Sequence, residues 1–337
     1  MDNNLNTAQV IAIASDHLVT LSGHIFDLLT VSKPITPDAA VNLSKVVSKL
    51  SPLLGNLIEF NSVEFLNDRD EFKGLGEWER QDPGFPDTVF RGVTPTPGFE
   101  IKAWFPLATE ITARFKDSQN HFTDGNTYVC MLAWLPEHII YGKPYILDVV
   151  VVSGASVAQS RDNHYHNPPE YIVLEPEDTK ARTRNLQQTN TNGFKLQTID
   201  AAQRAEAERI IESWGHGGRA YSPTANYQAQ LRELIARFPY RLDTNYAKMD
   251  RIVHPELEAF KTRVMGTTVH GLTVRDWDRL FRSNDKARVA LGKAMEAGDD
   301  AKVRKAEAQV VAAEANIKKV LMDRLGIREG DPDDILK

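Results

Sequence analysis

The feature that most constrains this 337-residue chain is a block of five short β-rich runs set between two helical stretches. The runs are TVFRGV (88–93), GFEIKAWF (98–105), TYVCMLAWL (127–135), YILDVVVV (145–152) and PEYIVLEP (169–176). Each is dense in Val, Ile, Tyr, Phe or Trp and is bounded by Gly, Pro, Asn or Asp, the signature of strands closed by turns. The five are expected to form one sheet. Between the second and third lies TEITARFKDSQNHF (109–122), read as helix or irregular chain. The polar, turn-rich stretch 67–86 reads as a loop leading into the first strand.

The flanks carry helical periodicity. Thr7 is a candidate N-cap for a helix whose apolar face runs Val10, Ile13, Ala14, Leu18, Leu21, Ile25, Leu28 and Leu29. Thr36-Pro37 opens a second helix, with proline at the first helical position. A third is expected over Pro52 to Phe60. Beyond a polar connection at 178–198, Asp200, Ser222, Pro255 and Thr273 each begin a helical pattern. Residues 285–325 read as a helical hairpin turning at Gly298 and ended by Gly326. The fold class is therefore α/β (α+β): a central mixed β-sheet flanked by helices. Three segments follow: an N-terminal helical segment (1–66), a β-rich core (67–199) and a helical C-terminal region (200–337).

Charge and composition exclude several classes. A net charge of -6 rules out a wholly basic nucleic-acid coat, though not a basic groove. The single cysteine, Cys130, allows neither an intrachain disulfide nor a multi-cysteine zinc site, and fits a reducing, cytoplasmic setting. Cys130 lies in an apolar strand, which suits a small core residue better than a nucleophile. No apolar run is long enough to span a membrane, and the first residues lack the positive start of a secretory signal. The glycine patterns of dinucleotide and P-loop sites are absent, so no nucleotide cofactor is expected.

The residues that carry chemistry are Asp87, Glu100 and Lys102. Alternation along a strand puts Glu100 and Lys102 on one face and Phe99, Ile101 and Ala103 on the other. A hairpin turned by residues 94–98 brings Asp87, after Pro86, back towards Glu100. Two carboxylates and an ammonium then share one small surface. Carboxylate oxygens suit a hard cation such as Mg²⁺, which lowers the pKa of a bound water and polarises a phosphoryl oxygen. Three similar triplets lack this setting. Glu71-Phe72-Lys73 is in a polar loop, Asp178-Thr179-Lys180 is in the basic connection, and Asp300-Ala301-Lys302 starts a helix.

The pattern Pro86-Asp87, twelve intervening residues, then Glu100-Ile101-Lys102 resembles the PD-(D/E)xK nuclease superfamily, which includes most type II restriction endonucleases. The resemblance covers the catalytic hairpin and the sheet through about residue 175. It implies a restriction-endonuclease-like core in which Asp87 and Glu100 bind Mg²⁺ and Lys102 assists the attacking water. It also implies a further acid from a helix before the first strand, for which Glu59 and Glu64 are both open. The implied activity is Mg²⁺-dependent, sequence-specific cleavage of double-stranded DNA to 5′-phosphate and 3′-hydroxyl ends, by a homodimer matched to a two-fold symmetric site. Two alternatives stand beside it: a structure- or mismatch-directed repair or recombination nuclease of the same superfamily, and a non-catalytic DNA-binding or assembly protein.

A second feature points to DNA. The segment 180–197 carries Lys180, Arg182, Arg184 and Lys195 with no acid, and is rich in Gln187, Gln188, Asn190 and Asn192. Arg bridges the major-groove edge of guanine and Asn or Gln that of adenine, while Lys holds phosphates. These eight residues are the expected DNA contacts. His164 and His166 lack a partner pair at zinc spacing. The Arg-rich helix from Arg275 to Arg288 reads as a salt-bridged solvent face, and the C-terminal hairpin as either a cover for the core or a dimer face.

Overall fold

In the computed structural model, the described residues are 5–81, 85–107, 125–164, 171–174, 193–196, 201–215, 225–238, 240–242 and 253–328. The first helix, α1 (Thr7–Val19), is capped by Asn6 rather than Thr7. The Asn6 side chain accepts from the Gln9 N–H, and the Gln9 side chain accepts in return from the Asn6 N–H. Val10, Ile11, Ala14 and Leu18 are buried. The expected apolar face continues past the point where the helix stops. Gly23 takes a left-handed φ of 85°, and the chain beyond it runs along the edge of the main sheet, bridging Ile25 to Tyr145 and Val31 to Gly142. Ile25 and Leu29 are consequently about two-fifths exposed, at 43% and 40%. A segment laid along an edge in this way blocks pairing with other chains.

Helix α2 (Pro37–Val46) starts where expected, with the Thr36 side chain accepting from the Ala39 N–H. Helix α3 (Ser51–Asn67) extends a further two turns past Phe60, because Ser62, Val63 and Leu66 continue its buried face. Its packing on the sheet lets Gly55 lie against Ala103.

The main sheet holds β1 (Glu77–Arg80), β2 (Thr88–Arg91), β3 (Gly98–Trp104), β4 (Thr127–Pro136) and β5 (Pro144–Ser153), side by side in that order. β1–β2, β2–β3 and β4–β5 are antiparallel, while β3–β4 is parallel. A parallel pair needs a long crossover. Here it is residues 105–126, and the 109–122 stretch lies outside the described residues. The sheet is thus mixed and flanked by helices, as the sequence implies. The membership differs in one strand. β1 lies within the polar stretch expected to be loop, where only Trp78 of its four residues is buried.

After β5 comes α4 (Gly154–His164). The fifth expected run, β6 (Tyr171–Leu174), pairs elsewhere, in a three-stranded sheet with β7 (Gly193–Leu196) and, through β7, β8 (Tyr240–Leu242). Between β7 and β8 come α5 (Ala201–Ser213) and α6 (Ala225–Arg237). Helix α7 (Pro255–Gly266) packs on β5 and sets Phe260 against Trp104. A two-residue hairpin pair, β9 (Thr268–Val269) and β10 (Leu272–Thr273), leads into α8 (Val274–Glu296) and α9 (Asp300–Leu325), which Gly326 ends with φ 61°.

Helix α9 folds back on α2, with ion pairs Lys318–Asp38 and Lys45–Glu314. One hydrophobic cluster runs from Val10 through the sheet to Ile327, drawing on all three segments expected from the sequence. No helix among the described residues is long and apolar enough to cross a membrane.

Candidate active site

The register Thr88↔Phe99 and Val89↔Gly98 fixes the β2–β3 hairpin. Continued by one residue, it sets Asp87 across from Glu100, on the face that also carries Lys102. Pairing stops there, since Pro86 has no N–H to give. β3 runs on past the end of β2, leaving its backbone donors on that side bare. Two carboxylates take them over. Asp87 Oδ2 accepts from the Ile101 N–H at 2.8 Å, and Glu59 Oε1, reaching from α3, accepts from the Ala103 N–H at 3.2 Å. The site is therefore a notch at the free edge of β3.

The hairpin's tightness depends on Gly98. A Cβ there would lie 2.5 Å from Pro86 Cγ and 2.8 Å from the Thr88 carbonyl oxygen. The 92–97 loop is tied down by Asn126, whose amide donates to the Thr96 carbonyl at 2.7 Å and whose own carbonyl accepts from the Gly98 N–H. On the other side, Gln81 donates from its backbone to the Asp87 carbonyl at 2.8 Å and from its side chain to the Pro86 carbonyl at 3.1 Å. Asp87 is thus held from both neighbouring strands.

The Lys102 ammonium bridges the two acids, 2.9 Å from Asp87 Oδ2 and 2.8 Å from Glu100 Oε1. All three side chains are less than a third exposed: 22% for Lys102, 27% for Asp87 and 11% for Glu100. Burial alone would lower the Lys102 pKa, but Glu100 and Asp87 outweigh it, so the amine is held above the ordinary lysine value. Lys102 therefore carries its ammonium charge here. The Glu59 pKa is raised as well, here in favour of the neutral form. Its burial raises the carboxyl pKa, opposed by the Lys102 charge and by the Ala103 hydrogen bond.

The donor chemistry of the notch fits a hard cation. Asp87 and Glu100 each present a carboxylate oxygen to one point, separated by no more than the sum of the two Lys102 contacts, while Glu59 is held at the Ala103 N–H. Mg²⁺ commonly takes one or two protein carboxylates and keeps water in its other positions. In this structure the point is taken by the ammonium, and among the described residues no three acids, imidazoles or thiols converge as a ready-made metal centre.

The structure separates the two candidates for the helical acid. Glu59 faces β3, whereas Glu64 is exposed on α3, about 140° around the helix. The charged residues of the similar triplets are exposed where they are described: Lys73 pairs with Asp70 at 2.6 Å, and Lys302 with Asp299 at 2.9 Å. Of the expected DNA contacts, Lys180, Arg182, Arg184, Gln187, Gln188, Asn190 and Asn192 lie outside the described residues, as does His166. Lys195 falls in β7. Cys130 is fully buried, and burial pushes its thiol pKa far up, which removes it as a nucleophile. Arg80 and Phe60, which border the notch, had only a faint sequence signal: a lone Trp between charged residues in GEWER, and an aromatic beside Glu59. The chain matches no protein-family model, no curated protein and no solved structure.

Proposed function

We propose that this chain is a Mg²⁺-dependent endonuclease of double-stranded DNA with a PD-(D/E)xK-type site, acting as a type II restriction enzyme in homodimeric form. The observation that carries the reading is the convergence of Asp87 and Glu100 on the Lys102 ammonium at an unpaired strand edge. Carboxylates buried together at such a point repel one another unless a cation sits between them. Asp87 and Glu100 are the residues that would hold the metal, with Glu59 beside them. Bound there, the metal would supply an acidified water and a polarised phosphoryl oxygen. Lys102 keeps its proton, so it hydrogen-bonds the attacking water or a phosphate oxygen and offsets charge as it builds on the phosphorane-like transition state. The hydrogen bond from Ile101 fixes the Asp87 carboxylate before substrate arrives, so little reorganisation is left for the reaction itself.

A second reading has one observation in its favour. Lys102 already satisfies both acids, which a purely structural ion cluster would also do. Incubation with phage or plasmid duplex DNA in Mg²⁺, followed by gel analysis and end sequencing, separates the possibilities. Discrete fragments with 5′-phosphate ends support a sequence-specific enzyme. Cleavage only at mismatches or branches moves the chain to the repair and recombination nucleases. No cleavage of any duplex leaves the structural cluster.

A further inference from the structure

The notch has a second cation on its other side. Arg80 closes β1 directly opposite Thr88, one residue from Asp87. Its position is set by the neighbouring residue, since Gln81 is tied to the Pro86 and Asp87 carbonyls. By strand alternation Arg80 shares a face with Trp78 and Thr88, whereas Glu79 points to the opposite face and pairs with Arg91 at 3.0 Å. The Arg80 guanidinium carbon lies 5.7 Å from the centre of the Phe60 ring, within the range of a cation–π contact. On α3, Phe60 follows Glu59, whose carboxylate accepts from the Ala103 N–H. Two cations thus approach one carboxylate-lined notch from opposite faces of the sheet. Lys102 is mostly buried and engaged with Asp87 and Glu100. Arg80 is exposed, and Phe60 remains 46% exposed.

We infer that Arg80, steadied over Phe60, is a binding residue for a backbone phosphate of the nucleic acid, next to the phosphate that lies at Lys102. This rests on the nuclease reading and extends it to a residue that the catalytic pattern does not contain. An edge strand often carries a cation merely to discourage pairing with another chain. Two features set Arg80 apart from that role: its aromatic rest and its fixed place beside Asp87. A guanidinium offers a planar fork matched to two phosphate oxygens, which an ammonium cannot copy.

The test is a salt titration of binding. Full-length wild-type protein, Arg80→Ala and Arg80→Lys are each titrated onto a fluorescein-labelled duplex in Ca²⁺ across a range of KCl. Thermal melting without DNA is followed in parallel. Arg80→Ala is expected to weaken binding about tenfold and to reduce the slope of log K against log[salt] by about 0.9, the loss of one phosphate contact. Arg80→Lys should keep the slope and recover only part of the affinity. Wild-type binding with an unchanged Arg80→Ala slope would overturn the inference and leave the nuclease reading standing. Absence of duplex binding by the wild type would overturn both.

Discussion

The Asp87 carboxylate accepts from the Ile101 N–H at 2.8 Å with the same oxygen that meets the Lys102 ammonium at 2.9 Å. One atom therefore caps a bare strand edge and balances a mostly buried charge. The two roles separate on substitution. Asp87→Asn keeps an acceptor for Ile101 and should retain most of the stability. Asp87→Ala leaves both donors without that acceptor and should cost about 1–3 kcal/mol. Both variants should lose DNA cleavage. Urea unfolding alongside a cleavage assay checks this, and equal stability of the two variants would count against the capping role.

Removing the ammonium should expose the metal preference of the notch without any assay of catalysis. In Lys102→Met, Asp87 and Glu100 face each other with no cation between them, at a cost of about 1–3 kcal/mol in chelator. A divalent ion then relieves that repulsion. Its binding should raise the melting temperature of Lys102→Met by more than that of the wild type. Calorimetric melting with EDTA, Mg²⁺ and Ca²⁺ reads the difference, and an equal response of the two proteins would argue against a cation site.

Glu59 gives a pH dependence of known sign. Its folded pKa is raised by burial above the ordinary 4.5, so ionising it costs more in the folded chain than in the unfolded one. Its favourable contribution is complete below 4.5 and is lost as pH climbs through the raised folded value. Glu59→Gln cannot ionise and should not show that loss. In chelator, the stability of the wild type relative to Glu59→Gln should fall as pH rises from 4.5 towards neutrality. Denaturant unfolding of both proteins across that window measures it, and a gap independent of pH would contradict the assignment.

Two glycines should respond oppositely to alanine. At Gly98 the added methyl meets Pro86 and the Thr88 carbonyl, so Gly98→Ala should destabilise by about 1–3 kcal/mol and displace Asp87, lowering cleavage. Gly292 lies inside α8 with nothing near its would-be Cβ, so Gly292→Ala should stabilise by about 0.5–1 kcal/mol and leave cleavage unchanged. Melting curves and initial rates for both variants provide the comparison.

Much of this architecture is visible in the residues. β4 is buried along almost its entire length, so it reads as an unbroken apolar run. β1 hides because it is an edge strand with one buried residue, Trp78. β6 has the composition of a core strand, yet its partner is β7, and local pattern does not say which strand a run will pair with. Alternation and a proline-rich turn were enough to bring Asp87, Glu100 and Lys102 to one face. Glu59 rather than Glu64 meets β3 because of the rotation of α3, which is set by its packing against Ala103 and is not encoded locally. Arg80 belongs to no motif, and only the pairing of β1 with β2 brings it beside Asp87.

If Asp87, Glu100 and Lys102 form a metal-dependent phosphodiesterase centre, cleavage must depend on both the metal and the acids. The most direct measurement compares cleavage of one duplex substrate by wild-type protein and by Glu100→Gln, in Mg²⁺ and in EDTA, with matched melting curves. The expected result is Mg²⁺-dependent cutting by the wild type, background cutting by the variant and little change in fold. Cutting by Glu100→Gln at the wild-type rate, or none by the wild type on any duplex, would contradict it.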